Sequence, residues 1–129
     1  MNENLTAFLT TISQSEGTEH VSNQHGYNVI CGGGIFISYK DHPRKLIDLP
    51  RLKIKSTAAG RYQILAKYFD VYKKQLGLPD FSPDSQDKIA IQLTAFSIIV
   101  NYTLKLSCMI EITHCIITSN SIYRIVNNI

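Results

Sequence analysis

The apolar positions along these 129 residues change period several times, and each change predicts a different element. Leu5, Phe8, Leu9 and Ile12 recur at helical spacing and predict a short amphipathic helix with those four side chains on its core face. Gly17 follows where a left-handed C-terminal cap is needed, which sets Glu16 in or beside the last turn. From Gly26 to Tyr39 the period shortens. Tyr27, Val29 and Ile30 precede Gly32-Gly33-Gly34, and Ile35, Phe36, Ile37 and Tyr39 follow. β-branched and aromatic residues around a glycine turn predict an antiparallel hairpin, ended by Asp41-His42-Pro43. Residues 41–55 predict a basic connection with Pro43 and Pro50, a mobile loop or short strand rather than a helix. Ser56 or Thr57 then caps a helix from near Ala58, with Ile64, Leu65, Tyr68, Phe69, Tyr72 and Leu76 on its apolar face. Lys73 and Lys74 suit its C-terminus, and Gly77 and Pro79 stop it. Ser82-Pro83-Asp84 restarts a helix, with serine as cap and proline first, whose buried face opens with Ile89, Ala90 and Leu93.

After Leu93 the patterning breaks. No glycine lies beyond Gly77 and no proline beyond Pro83, while residues 95–129 hold nine isoleucines and three charges, Lys105, Glu111 and Arg124. Two readings follow: a buried C-terminal helix or strand pair, or a tail foreign to the frame that wrote the first 93 residues. The second divides the chain into a domain over 1–93 and a hydrophobic tail over 94–129. Such a tail, apolar and poor in charge, is expected to lower solubility.

Composition narrows the function classes. This length encloses one modest core. The formal net charge is +3, and the lysines and arginines form no run long enough to argue for nucleic acid. Cys31, Cys108 and Cys115 are odd in number and show no metal or redox spacing, so reduced thiols in a cytoplasmic protein are expected. Met1-Asn2-Glu3-Asn4 carries an acid where a secretory signal needs basic residues. The longest stretch free of both charged residues and histidine, Ile89 to Leu104, is interrupted by Gln92 and Asn101 and falls short of the roughly 20 residues of a spanning helix, so no stable membrane insertion is expected. His20, His25, His42 and His114 lack metal-ligand spacing, and Gly32-Gly33-Gly34 has no following Lys-Ser/Thr to make a phosphate loop. Neither a metal nor a cofactor is expected.

The chemistry centres on Glu16. The negative end of a helix disfavours a carboxylate's charge and so favours an acid that keeps its proton. Taken alone, a glutamate there is an exposed surface acid. Glu19 and Asp41 are nearby alternatives without the helix-end setting and are expected to be solvated. Gly60-Arg61-Tyr62-Gln63 opens a helix on this reading, with structural and substrate roles both open and Arg61 inclined to an ion pair. Tyr68, Phe69 and Tyr72 are expected in the core.

Ala7-Phe8-Leu9, Ser15-Glu16-Gly17-Thr18, His25-Gly26-Tyr27, the run Asp41 to Leu46, the run Lys55 to Gln63, Lys74 to Leu78 and Asp80 to Pro83 stand in a distinctive order and spacing. Over residues 6–93 this chain resembles the endolysins of lambda-type phages, the lambda lysozyme family. The resemblance implies a lysozyme-like α+β fold, mainly helical, with a small antiparallel hairpin in the N-terminal lobe. It implies a lytic transglycosylase that cuts the β-1,4 bond between N-acetylmuramic acid and N-acetylglucosamine in peptidoglycan glycan strands. Glu16 is then the catalytic acid, residues 42–55 a flexible lip over the cleft, and Tyr39, Ser56, Arg61, Tyr62 and Gln63 its wall. Of these, Tyr39, Ser56, Tyr62 and Gln63 are the expected sugar contacts. The family further implies a monomer held in the host cytoplasm until a membrane-permeabilising holin admits it to the wall. From Thr94 onward the family's continuation does not match, which implies an incomplete or aberrant C-terminal lobe in a frameshifted or decayed prophage copy. A catalytically inactive remnant and a water-using lysozyme are the competing expectations.

Overall fold

The computed structural model describes residues 3–104, with side chains as far as Ala95. The expected tail therefore lies outside the described residues from residue 105 on, with Cys108, His114 and Cys115. Helix α1 spans Glu3–Ser15 and buries Leu9 and Ile12, with Leu5 packed half-buried against the core. Phe8, expected beside them, is instead exposed. It lies on the edge of a narrow stripe that Leu9 and Ile12 suffice to anchor. The helix ends in a Schellman turn: the Thr18 amide donates to the Ser13 carbonyl and the Gly17 amide to that of Gln14, both at 3.0 Å. Gly17 sits at φ +70, as this cap demands.

The glycine hairpin is present but short. Strands β1 (Val29–Ile30) and β2 (Gly34–Ile35) pair antiparallel, with Val29 opposite Ile35 and Ile30 opposite Gly34. One further bond, from the Phe36 amide to the Asn28 carbonyl at 2.9 Å, extends the pairing, and Phe36 turns inward onto Tyr39 and Phe81 while Ile35 and Ile37 face solvent. On its other side β1 meets a segment with no strand signal in the sequence. Ile30 bridges to Ala59, and Ala59 bridges to Ile64. Residues 41–55, expected as a loop or short strand, form a second hairpin from β3 (Ile47–Leu49) and β4 (Ile54–Ser56), joined by a 3₁₀ turn at Pro50–Leu52.

The helix expected from Ala58 starts eight residues later. Helix α2 spans Ala66–Leu76 and has Leu65 in extended conformation at its N-cap. Gly60 at φ +80 and Gln63 at φ +48 are incompatible with a helix across 58–65. Thr57 still caps it, from a distance: its hydroxyl accepts the Ala66 amide at 3.2 Å. Gly77 ends α2 in the left-handed conformation, following Lys73 and Lys74 in the last turn. Helix α3 runs from Pro83 to Leu104. Here the Asp80 carboxylate takes the polar groups at the helix start, accepting the Ser82 amide at 2.9 Å and the Ser85 hydroxyl at 3.1 Å.

One core joins these parts. Leu9, Ile12, Ile30, Phe36, Ala59, Ile64, Phe69, Leu78, Phe81, Ile89 and Ala90 are buried together, and Tyr68, Tyr72 and Leu93 pack half-buried against them. His42 belongs to this core rather than to the lip. Its ring lies 4.7 Å from that of Phe81 and 5.8 Å from that of Phe69. Nε2 donates to the Ile64 carbonyl at 2.9 Å while Nδ1 accepts the Arg44 amide at 3.0 Å, a pattern that requires the neutral ring. Burial pushes its pKa below the ordinary histidine value.

Candidate active site

The site is built where the Schellman turn of α1 meets a tight loop on the central sheet. Ala59 and Ile64 exchange two backbone hydrogen bonds, at 3.1 and 2.8 Å, and close a four-residue loop over Gly60-Arg61-Tyr62-Gln63. The motif expected to open a helix is therefore a hairpin turn. It depends on Gly60, because a Cβ there would lie 2.2 Å from Gln86 Oε1.

Glu16 occupies the C-cap position of α1. Its amide donates to the Ile12 carbonyl at 2.9 Å, and the residue is half-buried. The turn that presents it is fastened to the 60–63 loop. Thr18 is buried and its hydroxyl lies 2.6 Å from the Arg61 carbonyl. Gly26 lets the chain pass against Thr18, since a Cβ there would come within 2.8 Å of the threonine Cβ.

Glu19, expected in solvent, is part of that fastening, with its side chain 13% exposed. Its Oε2 is 2.6 Å from Arg61 Nη2 and also accepts the Ser13 hydroxyl, while Oε1 lies 3.5 Å from His25 Nδ1. Burial pushes this carboxyl's pKa up, but the Ser13 hydroxyl and the Arg61 guanidinium together outweigh it and hold the pKa below the ordinary value. The pair reflects the first thing burial requires of a charge, a partner of opposite sign, although the buried Arg61 Nε has no hydrogen-bond partner among the described residues. Arg61 is equally enclosed, its side chain 8% exposed, and donates from Nη1 to the His25 carbonyl at 2.6 Å. Its guanidinium also lies 5.2 Å from the Tyr27 ring centroid.

The remaining expected wall residues fall into two groups. Tyr62, expected to stack on sugar, is only 7% exposed and donates its hydroxyl to Asp87 Oδ1 at 2.6 Å. Tyr27 donates to the same oxygen at 2.8 Å, and the two rings meet edge to face. Burial first, and then Asp87, push both phenol pKa values up, so the hydroxyls stay protonated donors. Tyr62 thus backs the wall without an open ring face. Tyr39, Ser56 and Gln63 are half-buried. Tyr39 donates to Gln24 Oε1, the Ser56 hydroxyl accepts the Ala58 amide at 3.2 Å, and Gln63 donates to the Gly60 carbonyl at 3.0 Å.

Asp41 is exposed and committed to cations, with Arg44 Nε at 3.1 Å and Lys73 Nζ at 3.4 Å. Arg44 also grips Asp70 with two nitrogens, at 3.0 and 2.5 Å, which fixes the root of the β3–β4 hairpin on α2. Desolvation raises the Asp41 pKa, but Arg44 overrides it and the net shift is downward.

Gln86 and Asp87 carried no signal in the sequence, because an amide and an acid in a helix's second turn look like solvated surface. Gln86 is fully buried. It accepts the Arg61 amide at 2.9 Å and donates to the Tyr27 and Phe81 carbonyls at 3.0 and 2.8 Å. Among the described residues no group of histidine, cysteine, aspartate or glutamate side chains has metal-binding geometry, and no helix is long and apolar enough to cross a membrane.

Known proteins resemble this chain in sequence and fold. Residues 6–102 match the family model described as Endolysin. The chain is similar to the endolysin of Escherichia phage lambda, at 53% identity over 95 residues, covering 71% of this chain and 60% of that one. It is also similar to the endolysin of Escherichia phage P2, at 46% over 103 residues, covering 71% and 62%. It therefore spans about three-fifths of the length of these curated relatives. The solved structure of bacteriophage lambda lysozyme complexed with a chitohexasaccharide matches with a TM-score of 0.67 and 52% identity, over 71% of this chain and 61% of that one. A second structure, of the lysozyme from bacteriophage lambda, matches with the same TM-score. A lysozyme-like α+β fold, the Ser15-to-Thr18 turn seated on the 60–63 loop, and a family match over most of its length place this chain in the endolysin family.

Proposed function

We propose that this chain is a phage endolysin that cleaves the β-1,4 bond between N-acetylmuramic acid and N-acetylglucosamine in peptidoglycan, with Glu16 as the proton donor. The observation that carries this reading is the setting of Glu16: a half-buried residue at a helix C-terminus, on a turn that Thr18 fastens to the 60–63 loop. Three other acids favour the same choice. Glu19 is held ionised by the Ser13 hydroxyl and Arg61, Asp41 by its cations, and Asp87 accepts two tyrosine hydroxyls. The lambda lysozyme, similar in fold and sequence, is known with a chitohexasaccharide bound.

The reaction we infer is non-hydrolytic. Glu16 protonates the glycosidic oxygen as its bond to the muramic C1 breaks. The muramic C6 hydroxyl then bonds to C1 and returns its proton to the Glu16 carboxylate. The product is a 1,6-anhydro ring, and no water is consumed. Hydrolysis calls for a second carboxylate as nucleophile or base, and the commitments of Glu19, Asp41 and Asp87 leave none of them suited to it. Tyr39, Ser56 and Gln63 would meet the sugars and their acetamido groups, with Tyr62 holding the wall behind them. In this reading a holin releases a cytoplasmic, monomeric enzyme of prophage origin to the wall.

Turbidity clearing of outer-membrane-permeabilised cells tests the proposal. Glu16→Gln is expected to slow clearing by about a hundredfold or more, whereas an unchanged rate removes Glu16 from the chemistry. Mass spectrometry of the released muropeptides tests the subtype. Anhydro ends are lighter by one water than the reducing ends a hydrolase leaves.

A further inference from the structure

Arg61 meets buried partners at its amide, its carbonyl and its guanidinium, and two of them belong to the turn that carries Glu16. The amide donates to Gln86 Oε1 at 2.9 Å, the carbonyl accepts the Thr18 hydroxyl at 2.6 Å, and Nη2 lies 2.6 Å from Glu19 Oε2. Thr18 and Gln86 are both buried. Gly26 closes the other flank of Thr18, where a Cβ would lie 2.7 Å from the threonine carbonyl oxygen. Two residues beyond Glu16, the chain is therefore clasped between separate segments of the fold.

The backbone bonds of the turn tie it to its own helix: the Glu16 amide to the Ile12 carbonyl, Gly17 to Gln14 and Thr18 to Ser13. None of these three sets the turn against the 60–63 loop, and helix ends fray. The Glu19 and Thr18 links do cross to the loop, and they differ in stiffness. The ion pair ends on a long arginine side chain rich in rotamers, which places the turn coarsely. The Thr18 hydroxyl hangs on one rotatable bond of a β-branched side chain. Its acceptor is a backbone carbonyl in a loop that Ala59 and Ile64 close and Gln86 pins. The hydroxyl has one proton to give, and the Arg61 carbonyl is nearer than that of Ser13, at 3.2 Å. Such stiffness suits an acid that must sit within hydrogen-bond reach of the oxygen it protonates. A misplacement of about 1 Å can slow a reaction about a hundredfold.

We propose that Thr18 is a positioning residue whose hydroxyl bond to the Arg61 carbonyl sets Glu16 against the glycosidic oxygen, with Gln86 as the buttress behind Arg61. The inference rests on Glu16 being the proton donor, since Thr18 is buried and acts through it.

A graded series in the full-length protein tests this. Thr18→Val keeps the shape and removes the donor, Thr18→Cys offers a weak donor, and Thr18→Ser keeps a full one. Initial rates of muropeptide release, measured over a range of concentrations of purified sacculi and well below each variant's melting temperature, separate kcat from KM. Thr18→Val is expected to lower kcat about ten- to a hundredfold with KM nearly unchanged. Thr18→Cys should fall between, and Thr18→Ser should stay close to the parent. A threonine that served stability alone would shift the melts and leave the kcat of the folded protein where it was. The proposal is overturned by a Thr18→Val with the parent's kcat, by a loss confined to KM, or by a Thr18→Ser as slow as Thr18→Val. If Thr18→Val does not fold, Thr18→Cys against Thr18→Ser decides, and equal kcat values sink the idea. Glu16→Gln, run alongside, separates this inference from the one beneath it. A fast Glu16→Gln removes both the donor and the role of Thr18. A slow Glu16→Gln beside a Thr18→Val of parental kcat removes the positioning role alone.

Discussion

A methyl group added at Gly60 would lie 2.2 Å from Gln86 Oε1 and 3.1 Å from the Phe81 ring, at φ +80. At Gly33, at φ +90, the same methyl would meet nothing within 4 Å. Both substitutions carry the backbone cost of a left-handed residue, about 1–2 kcal/mol, but only Gly60→Ala also overpacks a buried amide, for about 1–3 kcal/mol more. Urea unfolding is expected to rank Gly60→Ala well below Gly33→Ala, and equal losses would show that Gln86 yields freely. The Glu19–Arg61 pair makes a second prediction at this scale. Arg61→Met leaves a buried carboxylate without its cation and is expected to cost about 3–5 kcal/mol. Adding Glu19→Gln should restore part of that loss, because the stranded charge is gone. If the double variant is no more stable than Arg61→Met alone, the pair is not coupled as its 2.6 Å separation implies.

At the scale of elements, what could be read locally in the sequence differs from what could not. The Ser15-to-Thr18 turn was legible because a Schellman cap is built from neighbours: an apolar helical stripe, then glycine. Helix α2 was legible from Phe69 to Gly77 for the same reason, yet its start was misplaced. Ser56 and Thr57 look like local caps, and only the positive φ of Gly60 and Gln63 forces a hairpin turn between cap and helix. The wall was legible as a motif but not as an arrangement. Tyr62 reaches Asp87 across 25 residues and Tyr27 reaches it across 60, and no local pattern announces such partners. Two predictions follow from these long-range links. Thr57→Val keeps the side-chain shape but removes the acceptor for the Ala66 amide, so α2 should lose about 1 kcal/mol of support, and Thr57→Ser should retain it. Gln86→Leu strands the Arg61 amide and the Tyr27 and Phe81 carbonyls together. At about 1–3 kcal/mol for each buried polar group left alone, chemical denaturation should show a loss of at least about 3 kcal/mol.

For the molecule as a whole, two buried titrating groups set how folding responds to acid, and they act in different pH windows. His42 has its folded pKa below the ordinary histidine value of 6.5 because burial excludes the charged ring. The unfolded chain takes up that proton first, so stability falls as pH drops from about 6.5 toward the lower folded value and then levels. Glu19 has its folded pKa below the ordinary glutamate value of 4.5, since Ser13 and Arg61 outweigh the desolvation that would raise it. Its contribution is complete above that value and is lost as pH falls through the folded pKa. Asp41 and Asp70 shift the same way, but their side chains are 47% and 48% exposed and water screens them. Glu19, enclosed with Arg61, is therefore expected to dominate the acid limb. Unfolding free energies measured from neutral to strongly acidic pH should decline in two steps. Glu19→Gln should be less stable than the parent at neutral pH and show a shallower second step, so that the two curves converge in strong acid. If Glu19→Gln instead runs parallel to the parent through the acid limb, the enclosed pair contributes no proton linkage, and the exposed carboxylates carry the acid sensitivity.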